Sequence, residues 1–171
     1  MQNSKALENV KLTKSSLCYV LEGGEILLAM KKRGFGEGYW NGYGGKQLPG
    51  ETMTDTAVRE TKEEIGIEAT ELEKVAELTF LFPWAPKGKN WNQLVTVYLI
   101  KRWRGEPKES DEMKPQWFDQ QHIPYESMWD DDKYWLPLVL KGKKIKGLFV
   151  FGRDFKVKEM HIEEESTTKP T

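Results

Sequence analysis

The stretch from Gly45 to Ile67, G-K-Q-L-P-G-E-T-M-T-D-T-A-V-R-E-T-K-E-E-I-G-I, constrains this chain more than any other part of it. A Gly/Pro-rich turn leads into Glu51. A segment carrying Arg59, Glu60, Glu63 and Glu64 follows, and Gly66 ends it. The spacing predicts a helix with Thr52 to Asp55 as its start, since Thr and Asp are good N-terminal caps, and with Gly66 as a left-handed stop. At about 100° per residue, Ala57, Val58, Thr61 and Ile65 form one stripe, and the three glutamates centre roughly a third of a turn away. One face can therefore pack on a sheet while the acidic face borders a cleft. Carboxylates at this spacing repel one another in an isolated helix. Hard divalent cations, which take oxygen ligands and bridge to substrate phosphates, are the natural offset.

Charge excludes several partners. Lys+Arg 26 against Asp+Glu 27 leaves a net charge of -1, with no basic excess for long nucleic acid. A single cysteine, Cys18, rules out an internal disulfide or a cysteine metal site, and its apolar neighbours make it a buried thiol. Met1 to Lys14 is polar, without the apolar core of a signal peptide, and no run approaches the ~18 apolar residues of a membrane span. The expectation is a soluble, cytoplasmic, monomeric protein.

The rest of the chain reads as strands around two helices. Ser15–Leu21 and Ile26–Met30 flank a hairpin turn at Glu22-Gly23-Gly24-Glu25. Glu77–Phe82, Asn92–Lys101, Trp117–Phe118, Leu148–Phe151 and Phe155–Ile162 are further strands. A second helix runs from Asp130 to Leu140, with Pro137 near its first turns. Between Lys31 and Lys46 lies a glycine-rich segment whose backbone N–H groups could approach an anion; Phe35, Tyr39, Trp40 and Tyr43 would be wasted on a solvated linker. A flexible lead-in (1–12), one domain (13–162) and a disordered tail (163–171) complete the expected organisation.

The full spacing, Gly45, five residues, Glu51, seven residues, Arg59-Glu60, two residues, Glu63-Glu64, one residue, Gly66-Ile67, resembles the Nudix box of the Nudix hydrolase superfamily. Thr61 departs from the pattern, which there favours a bulky aliphatic residue. Lys31–Gly45, Ser110–Pro115 and Met128–Pro137 extend the resemblance to the MutT-type oxidised-purine nucleoside triphosphatases, over roughly residues 15–155. That resemblance implies an α/β (α+β) fold, the Nudix α/β/α sandwich with a mixed β-sheet. It also implies Mg²⁺-dependent (or Mn²⁺-dependent) hydrolysis of a small-molecule nucleotide, 8-oxo-dGTP or 2-oxo-dATP, to monophosphate and pyrophosphate.

Glu60, Glu63 and Glu64 would hold the cations, and by resemblance the Gly44 carbonyl and Glu112 would add ligands. A general base is expected among the box glutamates, Glu64 first and Glu63 next; ligand and base need a carboxylate in the same place, so spacing alone does not separate them. Arg59 would orient the acids, with Glu51 in support. For the substrate, the resemblance implies Ser16, Lys31, Phe35, Asn41, Gly45, Lys46, Phe80, Met113, Trp129, Asp131, Asp132, Trp135 and Phe151. Trp129 can stack on a purine. Adjacent acids in a desolvated pocket would hold one proton between them, letting one site read 8-oxoguanine and 2-oxoadenine; helix capping by Asp130–Asp132 is the competing reading. Asp130, Ser16 and a long loop, Pro83–Trp91, depart from the family pattern. Other outcomes are a Nudix hydrolase of methylated purine triphosphates, dinucleoside polyphosphates or ADP-ribose, and a non-catalytic nucleotide-binding module.

Overall fold

The computed structural model describes residues 9–166. Strands β1 (Thr13–Glu22) and β2 (Glu25–Lys31) form a hairpin. Its two-residue turn needs positive φ at both positions, and Gly23 and Gly24 supply 57° and 79°. Next come β3 (Trp40–Asn41), helix α1 (Met53–Ile65), β4 (Glu68–Leu81), β5 (Gln93–Arg104) and β6 (Met113–Asp119). A 3-10 turn (Tyr125–Ser127), helix α2 (Asp132–Leu140), β7 (Ile145–Phe151) and β8 (Val157–Glu164) follow. The sheet order is β3-β2-β1-β5-β4-β7-β8, with β6 paired along β2. The β1–β5 and β4–β7 pairs are parallel and the others antiparallel, so the sheet is mixed.

Strand alternation makes two cores. Tyr19, Leu28, Leu78 and Leu99 face α2 and pack with Trp135, Leu136 and Val139. Their neighbours Cys18, Val20, Leu27, Ala29, Tyr98 and Ile100 point the opposite way and pack with Ala57 and Ile65 of α1. Each such buried aliphatic side chain contributes about 1.5–3 kcal/mol. The helices thus cover opposite faces of one sheet. Among the described residues no helix is long and apolar enough to cross a membrane.

The glycine-rich segment is not a loop throughout. Its second half is threaded into the gap where β1 and β2 part: Asn41 pairs with Ala29, Tyr43 with Cys18 and Lys46 with Ser15. Close approach dictates glycine here. A Cβ on Gly44 would fall inside the Ser16 carbonyl, and one on Gly45 inside the Glu60 carboxyl. Gly44→Ala should destabilise the fold by about 3 kcal/mol, read as a lowered thermal midpoint; an unchanged midpoint would contradict this packing.

The tail also differs from expectation. β8 runs to Glu164, past residue 162, because its pairing with β7 continues to Ile145↔Glu164. Residues 1–8 and 167–171, on which most of the expected flexible ends fall, lie outside the described residues.

Candidate active site

Helix α1 carries the acidic face. Thr52 and Asp55 form a reciprocal capping box, and Gly66 closes the helix at φ 76°. Thr56, Ala57, Thr61 and Ile65 are buried, so the opposite face holds Arg59 and the glutamates. Arg59 grips that face. Its Nε and Nη2 donate to the two Glu51 oxygens at 2.8 and 3.0 Å, its Nη1 donates to Glu60 at 2.8 Å and Glu63 at 3.3 Å, and Nη2 also reaches the Lys46 carbonyl at 3.1 Å. Bidentate guanidinium–carboxylate pairing fixes direction as well as distance. The Arg59 hydrogen bonds hold the Glu51 carboxyl down at about 2. Leu48 N–H and the Thr56 hydroxyl add to Glu51, which ties the turn to the helix.

Glu64 is set apart from its neighbours. It is largely buried and accepts the Gly44 N–H at 3.0 Å. Burial pushes its carboxyl up to about 8; the Gly44 bond opposes this, the charges of Glu60 and Glu112 add to it, and Lys31 counters them. Tyr43 and Gly45, on either side of Gly44, give their carbonyls to Cys18 and Ser16 of β1. In an extended chain alternate residues face opposite ways, so the Gly44 backbone is turned towards Glu64. Gly45 N–H goes to the Ser16 hydroxyl at 3.4 Å. These two N–H groups are therefore committed to protein oxygens rather than left free for an anion, contrary to the expectation from glycine content.

The donor set fits a hard cation. The charges of Glu60 and Glu112 raise the cost of ionising Glu64, and a positive charge there would relieve it. Glu63 is exposed, and Glu112 lies on the turn before β6 with Arg33 Nη2 at 3.5 Å. Among the described residues no three acids converge on a single point, because Arg59 holds Glu60 and Glu63 to itself.

Beyond Gly44 the surface opens into a cavity of about 540 Å³. Of the expected substrate residues, Ser16, Lys31, Phe35, Asn41, Gly45, Lys46, Phe80, Met113, Trp129, Asp131, Asp132 and Phe151 line it, as do Gly44 and Glu64. Trp135 does not. It is fully buried behind the wall, and its indole N–H donates to Asp131 Oδ2 at 2.7 Å. One helical turn, i to i+4, brings the two together.

Asp131 stands at the N-terminal end of α2 but makes no side-chain capping bond. Burial raises its carboxyl to about 6, with the Trp135 bond holding it down. Asp132, equally buried and beside the Asp131 charge, is raised well above the ordinary range, and its Oδ2 has no partner among the described residues. Both carboxyls are thus raised by burial, and one proton shared between them is favoured in this dry space. Asp130 adds its charge to the rise at Asp131, while its own carboxyl accepts the Val157 N–H at 2.8 Å and pairs with Lys133 at 3.0 Å. Asn41 Oδ1 accepts from Tyr19 OH at 3.2 Å and Gly42 N–H at 2.8 Å. Both lone pairs are used, which leaves the Nδ2 donor for the cavity.

Residues that sequence reasoning did not assign to the site include Thr13, Leu17, Tyr39, Phe82, Trp91, Gln93 and Val95. Several form rows across the sheet: Thr13 pairs with Gln93 and Gln93 with Phe80. Period-2 alternation on β1, β4 and β5 carried this signal, since the floor residues lie on the same sheet face as the core under α2, of which Phe82 and Val95 are part. Cys18 is buried beneath α1, and burial pushes its thiol up to about 12, which makes it inert. Thr61 is fully buried against it.

The NUDIX domain model matches residues 11–139. The chain is 45% identical over 136 residues to the oxidized purine nucleoside triphosphate hydrolase of Mus musculus, covering 80% of this chain and 85% of that protein. The protein of the same description from Danio rerio matches to the same extent. Among solved structures, the mutator MutT protein of Bacillus halodurans superposes with a TM-score of 0.77 at 26% identity, covering 89% of this chain and 98% of that one.

Proposed function

The chain belongs to the NUDIX family, and from that premise we propose that it hydrolyses oxidised purine nucleoside triphosphates, 8-oxo-dGTP and 2-oxo-dATP foremost, to monophosphate and pyrophosphate. One observation carries the reading: Glu64 of the acidic helix face and the buried Asp131–Asp132 pair open into the same cavity. A group suited to phosphate chemistry and a group suited to reading a base are thus joined by one space of nucleotide size.

Nudix hydrolases use divalent cations; Mg²⁺ is the proposed ion here, held by Glu60, Glu63, Glu64, Glu112 and the Gly44 carbonyl. When bound, such cations supply neutralisation of the triphosphate and activation of water. The protein's own contribution is placement. Arg59 holds Glu51, Glu60 and Glu63 in a fixed fan. Lys31 and Lys46 bring positive charge to the cavity wall for the phosphates. Glu64, whose carboxyl burial pushes up to about 8 in the cation-free protein, would take the proton of the attacking water. The bridge between the α and β phosphoryl groups breaks, and pyrophosphate leaves.

At the other end, the Asp131–Asp132 pair, sharing one proton, would donate through one carboxyl and accept through the other. Moving the proton between them changes the donor and acceptor pattern offered to the base, which suits two oxidised purines with different edges. Asn41 Nδ2 adds a fixed donor. Trp129 supplies the stacking face, worth about 1–3 kcal/mol per base. Trp129→Ala should therefore raise KM by about tenfold or more with little change in kcat; an unchanged KM removes Trp129 from the base site.

The test is kcat/KM across 8-oxo-dGTP, 2-oxo-dATP, dGTP, O6-methyl-dGTP and ADP-ribose. The oxidised purines should lead dGTP by about tenfold or more. Preference for the methylated triphosphate or ADP-ribose would replace the substrate, and no turnover on any of them would leave a binding module.

A further inference from the structure

The loop between β4 and β5 brings an aromatic side chain into the cavity that the mechanism above does not use. Trp91 lines the cavity together with Phe35 and Trp129. Its ring centroid lies 5.6 Å from that of Phe35, which in turn lies 5.1 Å from that of Trp129. The three rings form one continuous wall. Trp91 and Trp129 rest on the core with one side, yet Phe35 is 47% exposed and Trp91 only half-buried, so the wall keeps an open face towards the cavity.

Phe155, in the turn between β7 and β8, stands behind this wall. It is 5.9 Å from Phe35, 5.9 Å from Trp129 and 6.4 Å from Trp91, with the Trp91 ring nearly parallel to it at 28°. Phe155 is also the one non-glycine residue with positive φ among the described residues, at 59°. A bulky side chain in that region is strained, and such strain persists only where the surroundings over-determine it. The surroundings here are specific. Asp130 accepts the Val157 N–H at 2.8 Å and pins the turn from the Trp129 side. Trp84, on the same loop as Trp91, donates its indole N–H to the Phe151 carbonyl at 2.7 Å and packs on Phe155 at 5.2 Å. The loop, the turn and the start of α2 are thereby locked to one another around the Phe155 ring.

We propose that Trp91 is a second substrate-contacting aromatic residue of the base site, and that Phe155 is the positioning residue that sets Trp91 and Trp129 in one wall. This rests on the reading of the cavity as a purine nucleotide site. A two-ring base that enters the cavity meets an apolar face extended beyond Trp129, so the long loop adds to base affinity rather than to the chemical step. Asp130, turned away from the Asp131–Asp132 pair, serves this wall.

The experiment combines steady-state kinetics on 8-oxo-dGTP with calorimetric titration of 8-oxo-dGMP, using the full chain. Trp91→Ala should raise both KM and the monophosphate Kd by about tenfold while kcat stays within about twofold, and Trp91→Phe should recover most of the loss. Phe155→Gly removes the ring and relieves the backbone at the same time, so it should fold while raising KM and Kd as Trp91→Ala does; Phe155→Tyr should restore both. A parent that binds the monophosphate while Trp91→Ala binds it equally well overturns the proposal alone. A Phe155→Gly variant with parental KM and Kd overturns the positioning role. A parent that neither turns over nor binds either purine nucleotide overturns the function and this proposal with it.

Discussion

Glu64→Gln should lower kcat on 8-oxo-dGTP by about 10³ while the protein remains folded. Glutamine keeps an oxygen that can accept the Gly44 N–H, now made to Glu64 at 3.0 Å, so the threaded segment keeps its anchor. What it loses is the capacity to ionise and take a proton. The substitution also removes a carboxyl that burial raises to about 8. In the cation-free protein, the raised pKa means that the folded state favours protonated Glu64. Its contribution to stability is full below the ordinary carboxyl range and is lost as pH rises through about 8. Glu64→Gln should therefore melt less pH-dependently than the parent between about pH 5 and 8. A near-parental kcat would transfer the base role to Glu63, which is exposed and bound to Arg59.

Asp132→Asn should cost kcat/KM on the oxidised purines by about 10² or more, with a much smaller loss on dGTP. Asn can donate to a base but cannot exchange a proton with Asp131, so the pair no longer adapts to two different edges. A capping role alone would give an equal loss on every substrate, and the geometry already speaks against it. Asp131 makes no capping bond, and its carboxylate is occupied by the Trp135 indole. Stability separates the two views again. The Asp132 pKa is raised well above its ordinary value by burial and the Asp131 charge. Its contribution is present below about pH 4 and is lost as pH climbs towards its folded pKa. Asp132→Asn should thus melt above the parent at alkaline pH; lower stability there would indicate that Asp132 supports the helix end.

Much of the site was readable because its chemistry demands particular residue types at helical spacing. Glu60, Glu63 and Glu64 share a face with Arg59 on any α-helix, and Thr52 and Gly66 mark its ends by local propensity. The Gly42 to Lys46 segment, bridged to β1 at Tyr43 and Lys46, was not readable. Its glycines are required by close approach to Ser16 and Glu60, a tertiary cause that looks the same in sequence as a flexible loop. β4 was expected from Glu77 and begins at Glu68, because register shifts near Ala69–Leu72 and Lys74–Ala76 break the two-residue alternation by which strands are recognised. The family resemblance puts Trp135 in the wall, yet the i,i+4 relation to Asp131 sets it behind. Trp91 and Phe155 acquire their meaning only when the loop and the turn meet, about sixty residues apart in sequence.

The most direct test of the account is the product yield from 8-oxo-dGTP as Mg²⁺ is titrated into chelator-treated protein. The account predicts no turnover without the cation, and equal amounts of 8-oxo-dGMP and pyrophosphate with it. Release of orthophosphate instead, or turnover that persists in chelator, would contradict it.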